Sequence, residues 1–308
     1  MNRDASSAHR PAGGSESATS TGWRVLLASG PAGLWLLLFF FLPLTLLLAI
    51  SLLSRDEVGR VGLPLTFENY RRLAGFGLLG FDPLYPQIIG RSFLLALATT
   101  VGCVLAGLPL AFFIARLRGG ARQFALTLVV IPFWTNLLVR TYAWQILLAP
   151  DGWLTRVARQ LGLVGDGLGL YPGTGAVLLC LICDYLPFLA LPLYASVEKL
   201  DWSLAEAAAD LGAGRWGVFR HALLPQLRPG LTAGALLVFL PAAGQFVIPD
   251  LLGGARTQLL GNAVQQQFGS SGDWPFGAAI AVLGLATMAL ALGLARRSLG
   301  PLTAPGAE

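Results

Sequence analysis

Few residues in this 308-residue chain have side chains that could do chemistry, and most of those few sit in apolar surroundings. Cys180 and Cys183 form a Cys-x-x-Cys, but inside an apolar run with no positive charge near them in sequence; there thiols pack as small side chains instead of cycling as a redox pair. Cys103 falls in another such run. The two histidines, His9 and His221, stand far apart, so no pair exists at metal-ligand spacing, and neither a metal nor a cofactor is expected. The single lysine, Lys199, follows Glu198 and cannot belong to a Gly-x-x-x-x-Gly-Lys-Ser/Thr phosphate loop, so energy from ATP would have to arrive through another chain. Two ionisable residues stand out deep within apolar runs, Arg140 and Asp184, and a charge placed there is costly enough to be a functional hypothesis by default. One reading is an ion pair that holds two helices in register. The other is that Asp184 offers its carboxylate to a cationic substrate, with Trp134 and Tyr185 supplying aromatic faces and Asn136 nearby. Gln245, Phe246 and Asp250 make a second polar group, read either as interhelical glue or as substrate contacts. A membrane-embedded enzyme would need a convergent nucleophile, acid and base. Asp184 stands without a histidine or second carboxylate in its run, so the chain is not expected to be an enzyme.

The elements that must position these residues follow from composition. Hydrophobic residues make up 55% of the chain and charged ones 12%, against about 25% in soluble domains. The apolar residues come in six runs, at about 33–53, 92–115, 124–148, 173–196, 229–250 and 276–295, each long enough to cross a hydrocarbon layer about 30 Å thick. Prolines within them are tolerated where neighbouring helices satisfy the freed carbonyls. The pattern predicts an all-α polytopic membrane protein in a lipid bilayer, with a six-span domain over 23–298. The first run is read as a retained helix, since it exceeds a signal core and no small-residue cleavage pattern follows it. Residues 1–22, rich in Ser, Ala, Gly and Thr, are expected to form a disordered tail, and 299–308 a second tail. Arg116, Arg118 and Arg122, the basic cluster Lys199, Arg215, Arg220 and Arg228, and Arg296 and Arg297 fall on the same side as Arg3, Arg10 and Arg24. The excess of basic groups there places both termini in the cytoplasm.

The longest polar stretch lies between the fourth and fifth runs, over 198–228. Ser203 followed by Glu206 reads as a capping box that starts a helix, Gly212 suits the left-handed position that ends one, and a second helix through Trp216 and Phe219 is expected to stop at Pro225. Such a pair could rest on the bilayer surface as a connector or dock on a partner.

Its spacing resembles a known signature. Glu206-Ala207-Ala208, then Gly212, then Ala222 and Leu224-Pro225 are similar to the EAA motif of binding-protein-dependent ABC importer permeases, with Ala222 where that family places isoleucine. Ile131-Pro132-Phe133-Trp134-Thr135-Asn136 with Arg140, Leu186-Pro187-Phe188, Asp250-Leu251-Leu252-Gly253-Gly254, Gly261-Asn262 and Asp273-Trp274-Pro275-Phe276-Gly277 narrow the resemblance to the spermidine/putrescine branch. The resemblance implies a six-helix type I importer permease fold in the inner membrane, with the helix pair as its cytoplasmic coupling element. It further implies that Glu206, Ala207, Ala208, Asp210, Gly212, Phe219 and Pro225 face an ATPase. The implied partners are a second, homologous permease, two ATP-binding subunits and an external substrate-binding protein, and no nucleic acid. Close relatives move other small solutes, so an opine, an iron chelate or a thiamine-like cation stands as the alternative cargo.

Overall fold

A computed structural model describes residues 30–55, 61–77, 80–162, 165, 169–254 and 257–299. The expected tail over 1–22, with Arg3 and Arg10, lies outside the described residues, as do Arg24 and residues 300–308 of the second tail. The chain divides into two units, Met1–Ala49 and Ile50–Glu308. Helix α1 (Gly30–Ser51) begins in the first and is apolar on every side; it widens into a π turn at Leu37–Phe41.

In the second unit a short hairpin (β1, Ser54–Arg55; β2, Val61–Gly62) leads to α2 (Glu68–Leu73) and a second hairpin (β3, Phe76–Gly77; β4, Gly80–Phe81). Then come α3 (Leu84–Arg116), α4 (Gly120–Val130, running into a 3-10 turn at Ile131–Trp134), α5 (Leu137–Leu148) and α6 (Trp153–Gln160). They are followed by α7 (Thr174–Glu198), α8 (Trp202–Asp210), α9 (Arg215–Gly244), α10 (Val247–Leu252), α11 (Leu260–Phe268) and α12 (Trp274–Leu299). Helices α1, α3, α7, α9 and α12 are each long and apolar enough to cross a membrane; α4 with the helices after it is apolar enough too, but bent by 95°, the form of a broken span or of a re-entrant loop.

The centre of the second unit is the packing of α3, α7 and α9 on one another. Lipid tails are as apolar as leucine, so burial alone does not drive spans together, and close van der Waals contact must. Glycines allow it. A Cβ at Gly107 of α3 would stand 2.6 Å from Leu189 Cδ2, and one at Gly234 of α9 would stand 3.1 Å from Leu189 Cα. Leu189 of α7 is thus wedged between two helix backbones, and Cys103, Ala111, Leu193, Val197, Leu227 and Val238 fill the space around it. Cys103 and Cys180 are buried packing residues, the latter in a second cluster with Leu95, Leu148, Val177, Ile248 and Leu252.

Polar contacts tie the connecting segments to this bundle. Asn69 donates to the carbonyls of Ser51 and Leu53, both at 2.9 Å, fixing α2 under the end of α1. Arg72 donates to Asp273 at 3.1 Å and lies over the Phe276 ring at 4.0 Å, joining α2 to the start of α12. At the opposite end of the bundle, Arg122 donates to the Leu117 carbonyl and to Glu198 at 2.7 Å, closing the α3–α4 turn on the end of α7.

Gly234→Leu should overpack the contact with Leu189 and cost ~1–3 kcal/mol. A thermal melt of the purified protein should shift down, whereas Gly175→Ala, at a position with open space around it, should leave the midpoint unchanged.

Candidate functional site

The third apolar run does not form the continuous helix expected over 124–148. The chain turns by 95° between Trp134 and Leu137. Pro132 has no N–H to continue an α-helix, and the chain tightens there into the 3-10 turn. Thr135 and Asn136 are extended, and the Asn136 side chain accepts from the Leu138 N–H at 2.8 Å. Asn136, expected on the substrate route, is therefore the N-cap of α5.

Arg140, one turn into α5, spans the corner. Its Nη1 donates to the Pro132 carbonyl at 2.6 Å and to Thr135 Oγ1 at 3.4 Å. The same guanidinium meets Asp184 on α7 face to face, with Nε 2.6 Å from Oδ1 and Nη2 donating to Oδ2 at 3.0 Å. The Asp184 side chain is 5% exposed and the Arg140 side chain 21%. One charge-assisted hydrogen bond, from Nη2 to Oδ2, and one close ion contact, Nε to Oδ1, join the two groups and leave Asp184 already paired. Of the two aromatic residues read beside them, Trp134 projects from the outside of the corner at 85% exposure, while Tyr185 is half-buried.

Tyr185 connects to the second polar group. The Gln245 amide donates to the Tyr185 hydroxyl at 3.3 Å, and its oxygen accepts from the N–H groups of Phe246 and Val247. The fifth apolar run, expected over 229–250, thus ends as a span at Gly244, because Gln245 is extended and its side chain caps the next helix. Phe246 contributes its carbonyl, which accepts from Asn262 Nδ2 at 2.9 Å. Asp250 belongs to the separate helix α10 and faces a recess between α10 and α11.

The segment over 198–228 does form two helices, with two corrections. Asp201, and not the Ser203–Glu206 box, caps α8: its Oδ1 accepts from the Ser203 N–H at 2.9 Å and from the Ser203 hydroxyl at 2.7 Å. A carboxylate is the stronger acceptor and stands in the extended conformation a cap needs, so Ser203 becomes a donor. Both bonds hold the Asp201 carboxyl below its usual range. The cap is accordingly formed above the ordinary carboxylate pKa and lost as pH falls through the depressed one. Glu206, Ala207 and Asp210 stay exposed, and Ala208 is half-buried.

The end of α8 follows expectation. Gly212 has φ +83°, its N–H donates to the Ala209 carbonyl, and the Ala213 N–H donates to Ala208, the paired bonds of a Schellman end. Pro225, by contrast, does not stop the second helix, which runs from Arg215 to Gly244. A π turn at Phe219–Leu223, closed by the Leu224 N–H on the Phe219 carbonyl, adds the extra residue that lets the proline ring clear the preceding turn. Gln226 accepts from the Asp201 N–H at 2.9 Å, binding the start of α8 to α9. Phe219, read as a partner contact, is half-buried and packs with Ala205 against the core. The exposed apolar groups are ones that sequence reasoning passed over: Leu211 at 90%, Trp216 at 71%, and Leu204. Their signal was available, since large apolar residues beside a helix-ending glycine have no span to join. Asn262 and Asp273 were likewise quoted as motif members without a role. Asp273 caps α12 through the Phe276 N–H, as an acid two residues before Pro275 should.

Residues 104–300 match the model of the binding-protein-dependent transport system inner membrane component family. The spermidine/putrescine transport system permease protein PotB of Escherichia coli K12 is 40% identical over 260 residues, 84% of this chain and 90% of that protein. PotB of Haemophilus influenzae is 40% identical over 80% of this chain and 84% of its own length. The inner membrane ABC transporter permease protein YdcU of Escherichia coli is 33% identical over 88% of each. Among solved structures, a bacterial ABC transporter involved in import of the acidic polysaccharide alginate superposes with a TM-score of 0.70 at 15% identity, covering 92% of this chain and 97% of that one. The alginate transporter in complex with an alginate pentasaccharide-bound periplasmic protein gives 0.69 at 16% identity, over 94% and 98%. At such identities the likeness speaks to fold alone.

Removing one partner of the Arg140–Asp184 pair should destabilise by ~3–5 kcal/mol, because the other charge is left buried and alone. Arg140→Leu and Asp184→Leu should each lower the yield of folded protein on size exclusion, and the double variant should recover most of it. A double variant as poor as the singles would remove the structural reading of the pair.

Proposed function

Because the chain belongs to the binding-protein-dependent transport system inner membrane component family, we propose that it is the multi-pass inner-membrane permease subunit of an ABC importer whose cargo is a polyamine of the spermidine or putrescine kind. The observation that carries the cargo is the 40% identity to PotB over 260 residues, 84% of the chain and 90% of that protein. An opine, iron chelate or thiamine-like cation as cargo has less support.

The chain lines one half of a route through the membrane and pairs with a second, homologous permease. The permease pair binds two ATP-binding subunits, one of which docks on α8 and the start of α9, which lie in the cytoplasm with both termini, as the basic residues clustered at that end favour. The physical form is helix-in-groove recognition. Leu211, Trp216 and Leu204 are its apolar anchors, and Glu206 and Asp210 stand beside them on the exposed face of α8. An external binding protein delivers cargo to the opposite end.

Coupling follows from continuity. Helix α9 spans 30 residues, ~45 Å at helical rise, so a displacement of the α8–α9 turn is carried through the membrane by one rigid element. Gln226 and the Schellman end at Gly212 keep α8 and α9 moving together. When the ATPases close, α9 tilts against Leu189 of α7, and the bundle rocks between openings by rigid-body motion.

Cells expressing this chain with its partners should take up radiolabelled putrescine and spermidine, and deletion of the chain should abolish that uptake. Equal uptake with and without it would remove the polyamine assignment and leave the fold standing. Gly212→Pro forces φ from +83° to about −65° and should cut binding-protein-stimulated ATP hydrolysis at least ~10-fold. Leu211→Asp should weaken ATPase capture by ~2 kcal/mol, about 30-fold, as loss of an interface anchor does. Stimulated hydrolysis unchanged in both variants would overturn the coupling reading.

A further inference from the structure

The recess between α10 and α11 has the volume of a small-molecule site and a lining that is mostly polar. It encloses about 370 Å³, and Asp250, Gln258, Gln265, Gln266, Thr257 and Ser270 are among the residues that line it. Volumes from about 300 Å³ upward are typical of such sites. It opens at the end of the bundle opposite α8, where α9 has ended and α12 has yet to begin.

Its polar groups divide into those that build the wall and those left over. Asn262 is wholly engaged, accepting from the Leu259 N–H and donating to the Phe246 carbonyl, so it pins α11 to the α9–α10 break. Thr257 donates to the Gly253 carbonyl at 2.6 Å. In contrast, the Asp250 carboxylate and the side-chain amides of Gln258, Gln265 and Gln266 have no hydrogen-bond partner among the described residues, and all four side chains are exposed to the recess. The carboxylate can only accept, each amide can turn its oxygen or its N–H groups inward, and the one fixed charge is negative, so the complement of the set is a cation with several N–H donors. Asp184 does not play this part, because its buried carboxylate is already neutralised by Arg140, which donates to Oδ2 and stands against Oδ1.

We propose that this recess receives a primary ammonium group of the substrate as it leaves the binding protein, with Asp250 as the counter-charge and the three glutamines as hydrogen-bond acceptors. This rests on the polyamine reading. An exposed carboxylate binds an ammonium weakly, and weak binding is what a transfer site requires, since cargo must leave as readily as it arrives.

The test uses the complete transporter in proteoliposomes, with both permeases, the ATPases and the binding protein, and putrescine and spermidine as probes. Asp250→Asn should lower the amount of polyamine moved per ATP hydrolysed about fivefold, the scale of one exposed charge pair, and Asp250→Glu should restore most of it. Unchanged stoichiometry in Asp250→Asn would overturn the proposal. So would a proportional fall in uptake and ATP hydrolysis, which would make the recess a seat for the binding protein. Arg256 adjoins in sequence and lies outside the described residues. If Arg256→Ala reproduces Asp250→Asn, Asp250 serves an internal pair and the proposal fails. Should the wild type move neither polyamine, the cargo assignment is what has failed, and the recess is tested without it. A cysteine introduced by Gln266→Cys, with Cys103, Cys180 and Cys183 replaced, should react several-fold faster with a cationic than with an anionic methanethiosulfonate. Asp250→Asn should abolish that preference; equal rates before that change would sink the idea of a cation site.

Discussion

One guanidinium holds the most irregular part of this protein in place. Where the third run breaks, the Pro132 carbonyl accepts from the Thr135 hydroxyl at 2.7 Å and from the Thr135 N–H at 3.3 Å, so the turn closes on itself. Arg140 donates to both while its opposite edge grips Asp184. Each partner makes the others tolerable. The carboxylate neutralises the buried cation, and the cation adds a charged donor to a carbonyl that Thr135 already bonds. The corner then sets the direction of α5, and Gln145 on α5 donates to the Leu251 carbonyl of α10. A charge that looks expensive in isolation is thus the joint between a broken helix, the central helix α7 and the end of the bundle where the polar recess lies.

The second constraint is the fit of three helices around Leu189. Because glycine faces it from both α3 and α9, the helices touch backbone to side chain with no slack, and α9 cannot shift without moving α7. That rigidity matters for a protein proposed to convert motion at one end into an opening at the other. Continuity of α9 past Pro225 serves the same end. A helix that stopped there would leave a hinge between the docking pair and the span, and the π turn replaces that hinge with an unbroken rod.

Much of this was legible from the residues in order. Apolar run length exceeds what any soluble core needs, so the helical, membrane-spanning class and five of the spans follow from the bilayer's thickness alone. Gly212 announced a helix end because only glycine takes φ +83° without strain. Arg140 and Asp184 announced each other because neither can sit unpaired in hydrocarbon. These are properties of single residues set against a uniform solvent, and they need no knowledge of neighbours.

What sequence could not supply depended on choices between local alternatives of similar energy. Ser203 and Asp201 could each cap α8, and the choice fell to Asp201, whose N–H is also taken by Gln226 twenty-five positions away. Pro225 could end a helix or follow a π turn, and the longer rod won because Leu223 and Leu227 are buried in the α3–α7–α9 core on either side of it. Pro132 could bend the third run or break it, and the break is the form that lets Arg140 reach Asp184. Gln265 and Gln266 share a recess with Asp250 because Asn262 pins α11 to the break between α9 and α10. The sequence by itself determined which segments enter the membrane, since that is a transfer of each segment from water to lipid. The tertiary structure alone decided where those segments break and which polar groups are left over, since that is settled by partners far apart in the chain.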